Sequence, residues 1–244
     1  MMTLLCDRKD TLGVIAAALL WTAAAAHAQT GPNDLRASLL AGTDYVRHGL
    51  SQNDQAPALR VAFDFEHKSG LFFGGSLGNV EYAAESRFRK PRDTELSAYA
   101  GYLWRKNQWM TNVTFARYVY PDIEQSYEYN EAAVNLSYRD RYFLSVSRGE
   151  EYLGVLDSST RVRVGLALPW IRNLEFGANL GKSRIDARAD IDYTYWDIGL
   201  SRALGRIAFD LRFHDSTAAR SSLAGNDTDN RWVFSMTYAL VPFE

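Results

Sequence analysis

The chain has 244 residues, 27 of them basic and 29 acidic, with a net charge of −2 and a mean hydropathy of −0.27. Its only cysteine, Cys6, lies near the amino terminus, which excludes a disulfide framework and cysteine-ligated metal sites from the rest of the chain. The basic residues are spread along the chain and form no continuous stripe, which argues against nucleic-acid binding.

The first predicted element is a signal peptide over residues 1–28. Arg8 and Lys9 precede an apolar run at 12–26, and the run closes on the small-residue sequence AHA. This order is typical of a secretory signal, and cleavage after it would leave Gln29 first in the mature chain. A single membrane anchor is the alternative, although the run is short for a helix that spans a bilayer.

The rest of the chain predicts β-strands and no helix. Apolar and polar residues alternate with a period of two, most clearly in the segment RIAFDLRFHD at 206–215. This is the period at which side chains point to one face of a strand. The predicted strands have lengths near the ~9–11 residues that a tilted membrane strand needs. They cover 35–47, 57–67, 71–81, 93–104, 108–118, 128–139, 141–149, 159–168, 172–183, 192–202, 206–215 and 230–240.

The connections between these strands alternate between short and long. HKSG follows the second strand and RKNQ the fourth, whereas the first and third are followed by long polar segments. Outer-membrane barrels have short periplasmic turns and long outer loops, and their interfaces carry aromatic girdles, which Trp104, Trp109, Trp170 and Trp232 would suit. The sequence therefore predicts one domain over residues 29–244, an all-β, up-and-down antiparallel transmembrane β-barrel of about 12 strands.

Most predicted strands have one apolar face and one polar or charged face. Burying so many charges in a packed core would be costly, so the apolar faces are predicted to contact lipid and the charged faces to line a watery lumen. Arg161 and Arg163 are expected to face Glu175 across the next strand, and the alternative is that the charges pair and fill the lumen. The predicted pore-lining residues are Arg60, Asp64, Glu66, Arg139, Arg161, Arg163, Glu175, Asp197, Asp210, Arg212 and Arg231, with Arg36, Glu95 and Glu131 on the same face.

Two arginines interrupt the lipid-facing pattern. Arg117 and Arg148 lie on that face near the outer ends of their strands, where a charge costs little. An arginine can bind a phosphate through two parallel hydrogen bonds, so both residues are predicted to contact lipopolysaccharide. An arginine that extends to water without a specific partner is the alternative. The other expected partners are outer-membrane lipid and the barrel-assembly machinery.

The first predicted hairpin resembles a known family. Its segment reads GTDYVRHGLSQNDQAPALRVAFDFEHKSGLFFGGSLGNVEY, and the residues that carry the likeness are Asp44, Tyr45, Arg47, Gly49, Ser51, Gln52, Pro57, Ser69, Gly70 and Gly74. This pattern resembles the TorF-like putative porins of proteobacteria, and weaker similarity extends over nearly the whole mature chain. The chain differs from the family pattern at His48 and Asn53. The resemblance implies a porin-type barrel in the outer membrane of a Gram-negative bacterium, with no catalytic residues and no established substrate.

Few residues suggest chemistry. His214 and Ser216 have the spacing of the His-x-Ser pair in barrel enzymes that deacylate lipid A, but their phase points to the lumen and no third group is placed to orient the histidine. The acidic segments 186–192 and 226–230 lack the spacing of a calcium loop. No metal or cofactor is therefore predicted.

The predicted function is a porin-like channel, not an enzyme, through which small polar solutes diffuse passively. One alternative is an outer-membrane barrel enzyme that acts on lipids. The other is a structural or adhesive barrel with a closed lumen, because the interior of small barrels is filled by side chains.

Overall fold

The computed structural model describes residues 33–81, 92–121, 127–150, 158–171, 174–186, 191–220 and 230–240, and the predicted signal peptide lies outside them. The strands are β1 (Asn33–Gly42), β2 (Val46–Arg47), β3 (Leu50–Ser51), β4 (Ala58–His67), β5 (Leu71–Glu81), β6 (Arg92–Lys106), β7 (Trp109–Tyr120), β8 (Tyr127–Tyr138), β9 (Tyr142–Glu150), β10 (Ser159–Pro169), β11 (Glu175–Ile185), β12 (Ile191–Leu204), β13 (Ile207–Ser216) and β14 (Arg231–Ala239). A short 3₁₀ helix covers Thr217–Arg220. In these ranges no helix is both long and apolar enough to cross a membrane.

Twelve strands close into one antiparallel barrel. From β4 to β14 each strand pairs with the next, and β1 closes the ring by pairing with both β4 and β14. Ser38 shows the closure, because it pairs with Ala62 of β4 on one side and with Ala239 of β14 on the other. A closed ring leaves no unpaired sheet edge, which the bilayer interior requires. The predicted 12-stranded up-and-down barrel is confirmed.

The two ends of the barrel differ. At one end, named here the turn end, tight turns join β4 to β5, β6 to β7, β8 to β9 and β12 to β13. The left-handed φ angles needed for such turns occur at Asn107, Arg139, Asp140 and Gly205, between 53° and 60°. The opposite end, named the loop end, carries the longer connections, including residues 43–57.

The outside of the barrel is apolar. Leu59, Val61 and Phe63 alternate along β4 and are each about half exposed. The remaining barrel strands all show the same pattern. Soluble monomers rarely expose an apolar surface of this extent, so the outer surface suits lipid. Trp109 at the turn end and Trp232 at the loop end lie near the two edges of the apolar band, where membrane proteins place aromatic side chains.

The interior is polar toward the turn end and packed toward the loop end. Buried aromatic side chains from β7, β8 and β12, such as Tyr120, Tyr129 and Tyr193, surround a hairpin that β2 and β3 form inside the barrel. The first predicted strand, 35–47, is therefore wrong at its end, because β1 stops at Gly42 and the alternating residues that follow belong to this hairpin.

Candidate functional site

The inner wall of the barrel carries arginine–carboxylate pairs at three levels. At the loop end, Arg60 donates to Glu95 at 2.8 Å. In the middle, Arg212 donates to Asp197 at 2.5 Å and to Asp210 at 3.2 Å. The wall therefore holds fixed charges of both signs along its length, although it is buried from bulk water.

The third level of arginine–carboxylate pairs lies at the turn end. Arg105 binds both carboxylate oxygens of Glu66, at 2.5 and 3.1 Å, in the bidentate arrangement that favours arginine. Arg36 pairs with Asp34 in β1. Charged and aromatic side chains together line a cleft at this end of the barrel: Asp34, Arg36, Asp64, Glu66, Phe65, Phe72 and Phe73.

Glycines on neighbouring strands let the large inward side chains lie flat against the wall. A Cβ atom at Gly177 would come within 2.9 Å of the Arg212 guanidinium, and one at Gly78 would lie 3.0 Å from Arg60. These arginines therefore extend sideways over the next strands. Inward residues arranged in this way leave more room along the barrel axis than side chains that point across it.

The hairpin at the loop end, named here the inner hairpin, comprises residues 44–52. His48 and Gly49 have φ of 52° and 78°, as the two central positions of a type I′ turn require. Ser51 Oγ donates to the Asp44 carboxylate at 2.7 Å, and the backbone N–H of Gln52 donates to the backbone carbonyl of Tyr45 at 2.7 Å. The hairpin thus holds its own shape through bonds within the segment.

One side of the inner hairpin binds the wall through Arg47. The Arg47 guanidinium lies 3.1 Å from Glu95 and donates to the Tyr120 hydroxyl at 3.0 Å. It also lies over the rings of Tyr118 and Tyr129, with distances of 4.7 and 5.7 Å to the ring centroids. These four wall residues come from β6, β7 and β8.

The other side of the inner hairpin packs on the opposite wall. A Cβ atom at Gly49 would lie 2.4 Å from the Cβ of Tyr195 and 3.2 Å from that of Ser216, and Asp44 pairs with Arg231 at 3.0 Å. In the ring of 12 strands, β7 and β13 lie six positions apart and are therefore opposite each other. The inner hairpin spans the barrel from wall to wall and occupies its loop end.

His48 lies at the tip of this hairpin. Its Nδ1 is 3.4 Å from the Tyr195 hydroxyl, and the two rings meet edge to face. Burial lowers the pKa of His48 well below its usual value, and the positive charges of Arg161, Arg47 and Arg163 lower it further. The imidazole is consequently neutral near pH 7 while the inner hairpin lies inside the barrel, a state named here the seated form.

The structure places ten of the eleven predicted pore-lining residues on the inward face of the wall: Arg60, Asp64, Glu66, Arg161, Arg163, Glu175, Asp197, Asp210, Arg212 and Arg231. The prediction for Arg139 is wrong, because this residue is exposed in the turn between β8 and β9, where it donates to Gln108 at 2.7 Å. That the ten line a conducting pathway stays a prediction.

The expected opposition of Arg161 and Arg163 to Glu175 is also wrong. Register pairs Glu175 with Pro169 at the turn end, whereas Arg163 pairs with Gly181. Arg161 instead binds Glu131 of β8, two strands away, and both side chains are 2% exposed. The alternative that interior charges pair with one another describes this region better.

The two predicted lipopolysaccharide contacts lie outside the barrel at the loop end. Arg117 pairs with Glu128 at 2.5 Å, and Arg148 lies 4.0 Å from Asp186 and donates to Ser158 at 2.9 Å. Sequence reasoning missed these acidic partners, which come from neighbouring strands and connections. Contact with lipopolysaccharide stays a prediction.

His214 and Ser216 lie in β13 and face the interior of the barrel. Ser216 is 8% exposed, and its hydroxyl accepts a hydrogen bond from the Ala218 amide at 3.1 Å. The pair is thus separated from membrane lipid by the barrel wall. In the ranges that the structure describes, no group of three or more His, Cys, Asp or Glu could hold a metal ion. Most of the acidic segments 186–192 and 226–230 lies outside those ranges.

Two outer-membrane proteins of known structure have the same architecture at low identity. The NanC porin has a TM-score of 0.54 and 10% identity, over 83% of this chain and 98% of that one. The COG4313 outer membrane channel from Pseudomonas putida F1 has a TM-score of 0.51 and 6% identity, over 86% and 96%. LpxR from Salmonella typhimurium has a TM-score of 0.49 and 9% identity, over 84% and 99%.

Sequence comparisons identify the family. Curated proteins give no match. The narrower likeness to TorF-like porins stays a prediction. A family model described as "bacterial protein of unknown function (Gcw_chp)" matches residues 25–240, which is most of the chain, and the protein therefore belongs to the Gcw_chp family.

Proposed function

We propose that this protein is a porin-type channel in the outer membrane of a Gram-negative bacterium, through which small polar solutes diffuse passively. The observation that carries the proposal is the charged inner wall, which runs from Arg60 and Glu95 at the loop end to Arg105 and Glu66 at the turn end. Buried ion pairs contribute little to stability compared with apolar packing, so a purely structural barrel gains little from such a wall.

Two further points support this function. The resemblance to TorF-like putative porins implies the same class of protein, and the fold is shared with the NanC porin and the COG4313 channel. The proposal includes removal of residues 1–28 as a signal peptide, insertion by the barrel-assembly machinery and contact with lipid and lipopolysaccharide.

The inner hairpin favours a second candidate, a barrel whose lumen stays closed. It crosses the loop end, and its Arg47 and Asp44 form ion pairs with opposite walls. A permanently closed barrel would act through its loops or as a structural element of the membrane.

A conductance measurement separates the two candidates. Gly42 and Ala58 are paired directly in the barrel, so residues 43–57 can be replaced by a two-residue Asn-Gly turn without lengthening or shifting β1 or β4. We expect the refolded mature protein to conduct in planar bilayers, and this hairpin-free variant to conduct more. Absence of current through both proteins, with the barrel shown to be folded by circular dichroism, would exclude the channel and leave the closed barrel.

A further inference from the structure

We infer that Glu95, Tyr118, Tyr120 and Tyr129 form a guanidinium-binding site on the inner wall, that Arg47 occupies this site as an internal ligand, and that solutes carrying a guanidinium group compete with it and release the inner hairpin. The inference rests on the proposed channel function and names the class of solute that the channel would admit.

The site has the chemistry that a guanidinium needs. The Glu95 carboxylate is fully buried, and its Oε2 faces Arg47 at 3.1 Å and accepts the Tyr120 hydroxyl at 2.5 Å. The rings of Tyr118 and Tyr129 stack on each other, with centroids 4.6 Å apart and planes 15° apart. A planar, weakly hydrated cation gains from aromatic faces and a carboxylate together, and guanidinium fits this combination better than an ammonium group.

The site belongs to the wall and not to the hairpin. Glu95 is additionally held by Arg60 through Oε1 at 2.8 Å, which fixes the carboxylate without using Oε2. Tyr118 and Tyr129 are directly paired across β7 and β8 in the barrel sheet. The site would therefore keep its geometry when Arg47 withdraws, and a free cation would find it formed.

The inner hairpin can leave as a unit. Its two short strands are held to each other by the Gln52–Tyr45 backbone bond and by Ser51 and Asp44, independently of the wall. A solute that binds only the vacated site shifts the equilibrium toward the open form, because a ligand favours the state to which it binds more tightly.

The test combines conductance with thermal unfolding of the refolded mature protein, with millimolar methylguanidinium chloride as the probe. Methylammonium chloride and sodium chloride at equal concentration control for charge and ionic strength. Arg47→Ala removes the internal ligand, and Arg139→Ala, in an exposed turn, is the matched control. Since a hydrogen bond to a charged group commonly changes an equilibrium about tenfold or more, we expect Arg47→Ala to raise the ratio of open to closed channels by at least that factor and Arg139→Ala to leave it unchanged.

Methylguanidinium should act differently on the two forms. In the wild type it should raise the conductance, and in Arg47→Ala it should instead raise the unfolding temperature by filling the vacated site. Both effects should be lost with Glu95→Gln and weakened with Tyr118→Leu, which serves as a second variant if Glu95→Gln does not refold. Methylammonium should produce neither effect.

The outcomes separate the inference from the proposed function. Conductance in every variant, with methylguanidinium acting no differently from methylammonium, overturns the guanidinium site and leaves the channel. An Arg47→Ala variant no more open than Arg139→Ala also overturns it. Absence of current in all proteins refutes the channel, while a rise in unfolding temperature specific to methylguanidinium and dependent on Glu95 would still support the site.

Discussion

Gly49 is the residue on which the seating of the inner hairpin depends most directly. Its φ of 78° is a conformation that costs other residues roughly 1–2 kcal/mol, and an added Cβ would lie 2.4 Å from Tyr195. We therefore expect Gly49→Ala to release the hairpin, which would raise conductance, while the unfolding temperature of the barrel changes little because every barrel strand is retained.

Gly205 offers a matched control for this substitution. It also has a positive φ, 60°, but an added Cβ would meet no atom within 4 Å. Gly205→Ala should therefore cost about 1 kcal/mol of stability through backbone strain alone and should not alter conductance. Equal conductance of the Gly49→Ala and Gly205→Ala variants would contradict the role given to the hairpin.

His48 should make hairpin seating depend on pH. The groups that face it are the Tyr195 hydroxyl of β12, Arg161 and Arg163 of β10, and Arg47 of its own hairpin, and burial with these cations lowers its pKa in the seated form. The seated form thus binds fewer protons than the released form. Seating is fully stable above the ordinary histidine pKa of about 6.5 and weakens as the pH falls below it.

This dependence can be measured as conductance between pH 7.5 and 5, which we expect to rise toward the acid side. His48→Gln should flatten the profile. His67→Gln provides the control, since His67 is the last residue of β4, at the opposite end of the barrel, and contacts Ser69. A profile unchanged by His48→Gln would assign the pH effect to other groups.

The barrel strands can be predicted from the period of two in the sequence and from the tight turns. The predicted strand 71–81 coincides with β5 (Leu71–Glu81), and 206–215 differs by one residue at each end from β13 (Ile207–Ser216). Alternation reports only the face of a residue, however. It could not show that the alternating residues after Gly42 fold back into the lumen, because that depends on contacts with distant strands.

The interior pairs were beyond prediction for the same reason. Arg161 of β10 reaches Glu131 of β8 across β9, where it passes Ser147 and Gly149. Small residues on the intervening strand make this possible, and their alignment depends on the register of two strand pairs. The sequence pattern assigns each charged residue to a face of its strand, but its ion-pair partner can be assigned only once that register is known.

Arg117 and Arg148 are a pair of cations on the outer faces of β7 and β9. We expect the double variant Arg117→Gln with Arg148→Gln to lower the unfolding temperature in lipopolysaccharide-containing membranes but not in phospholipid alone. The effect should correspond to about 1 kcal/mol or less, because exposed ion pairs contribute little. Arg202→Gln is the control, since Arg202 is exposed on the outer face at the turn end. An equal loss of stability in both membranes would contradict a contact of these arginines with lipopolysaccharide.

The lumen combines a nearly balanced set of charges with close pairing between them. Glu95 is shared by Arg47 and Arg60, and Arg212 is shared by Asp197 and Asp210. Bulk charge should therefore give the channel little preference between cations and anions. Selectivity should follow from whichever charge is left unpaired at the narrowest level, as in other pores with charged rings.

Arg161→Ser with Arg163→Ser, made in the hairpin-free variant, removes two cations and leaves the buried Glu131 without its arginine. We expect the reversal potential in a potassium chloride gradient to shift toward cation selectivity, and Glu131→Gln in the same background to shift it the opposite way. Arg139→Ser with Arg141→Ser, both in the exposed turn between β8 and β9, should leave it unchanged. A conducting channel whose reversal potential does not respond to Arg161 and Arg163 would mean that ions do not pass the level of the wall at which these residues lie.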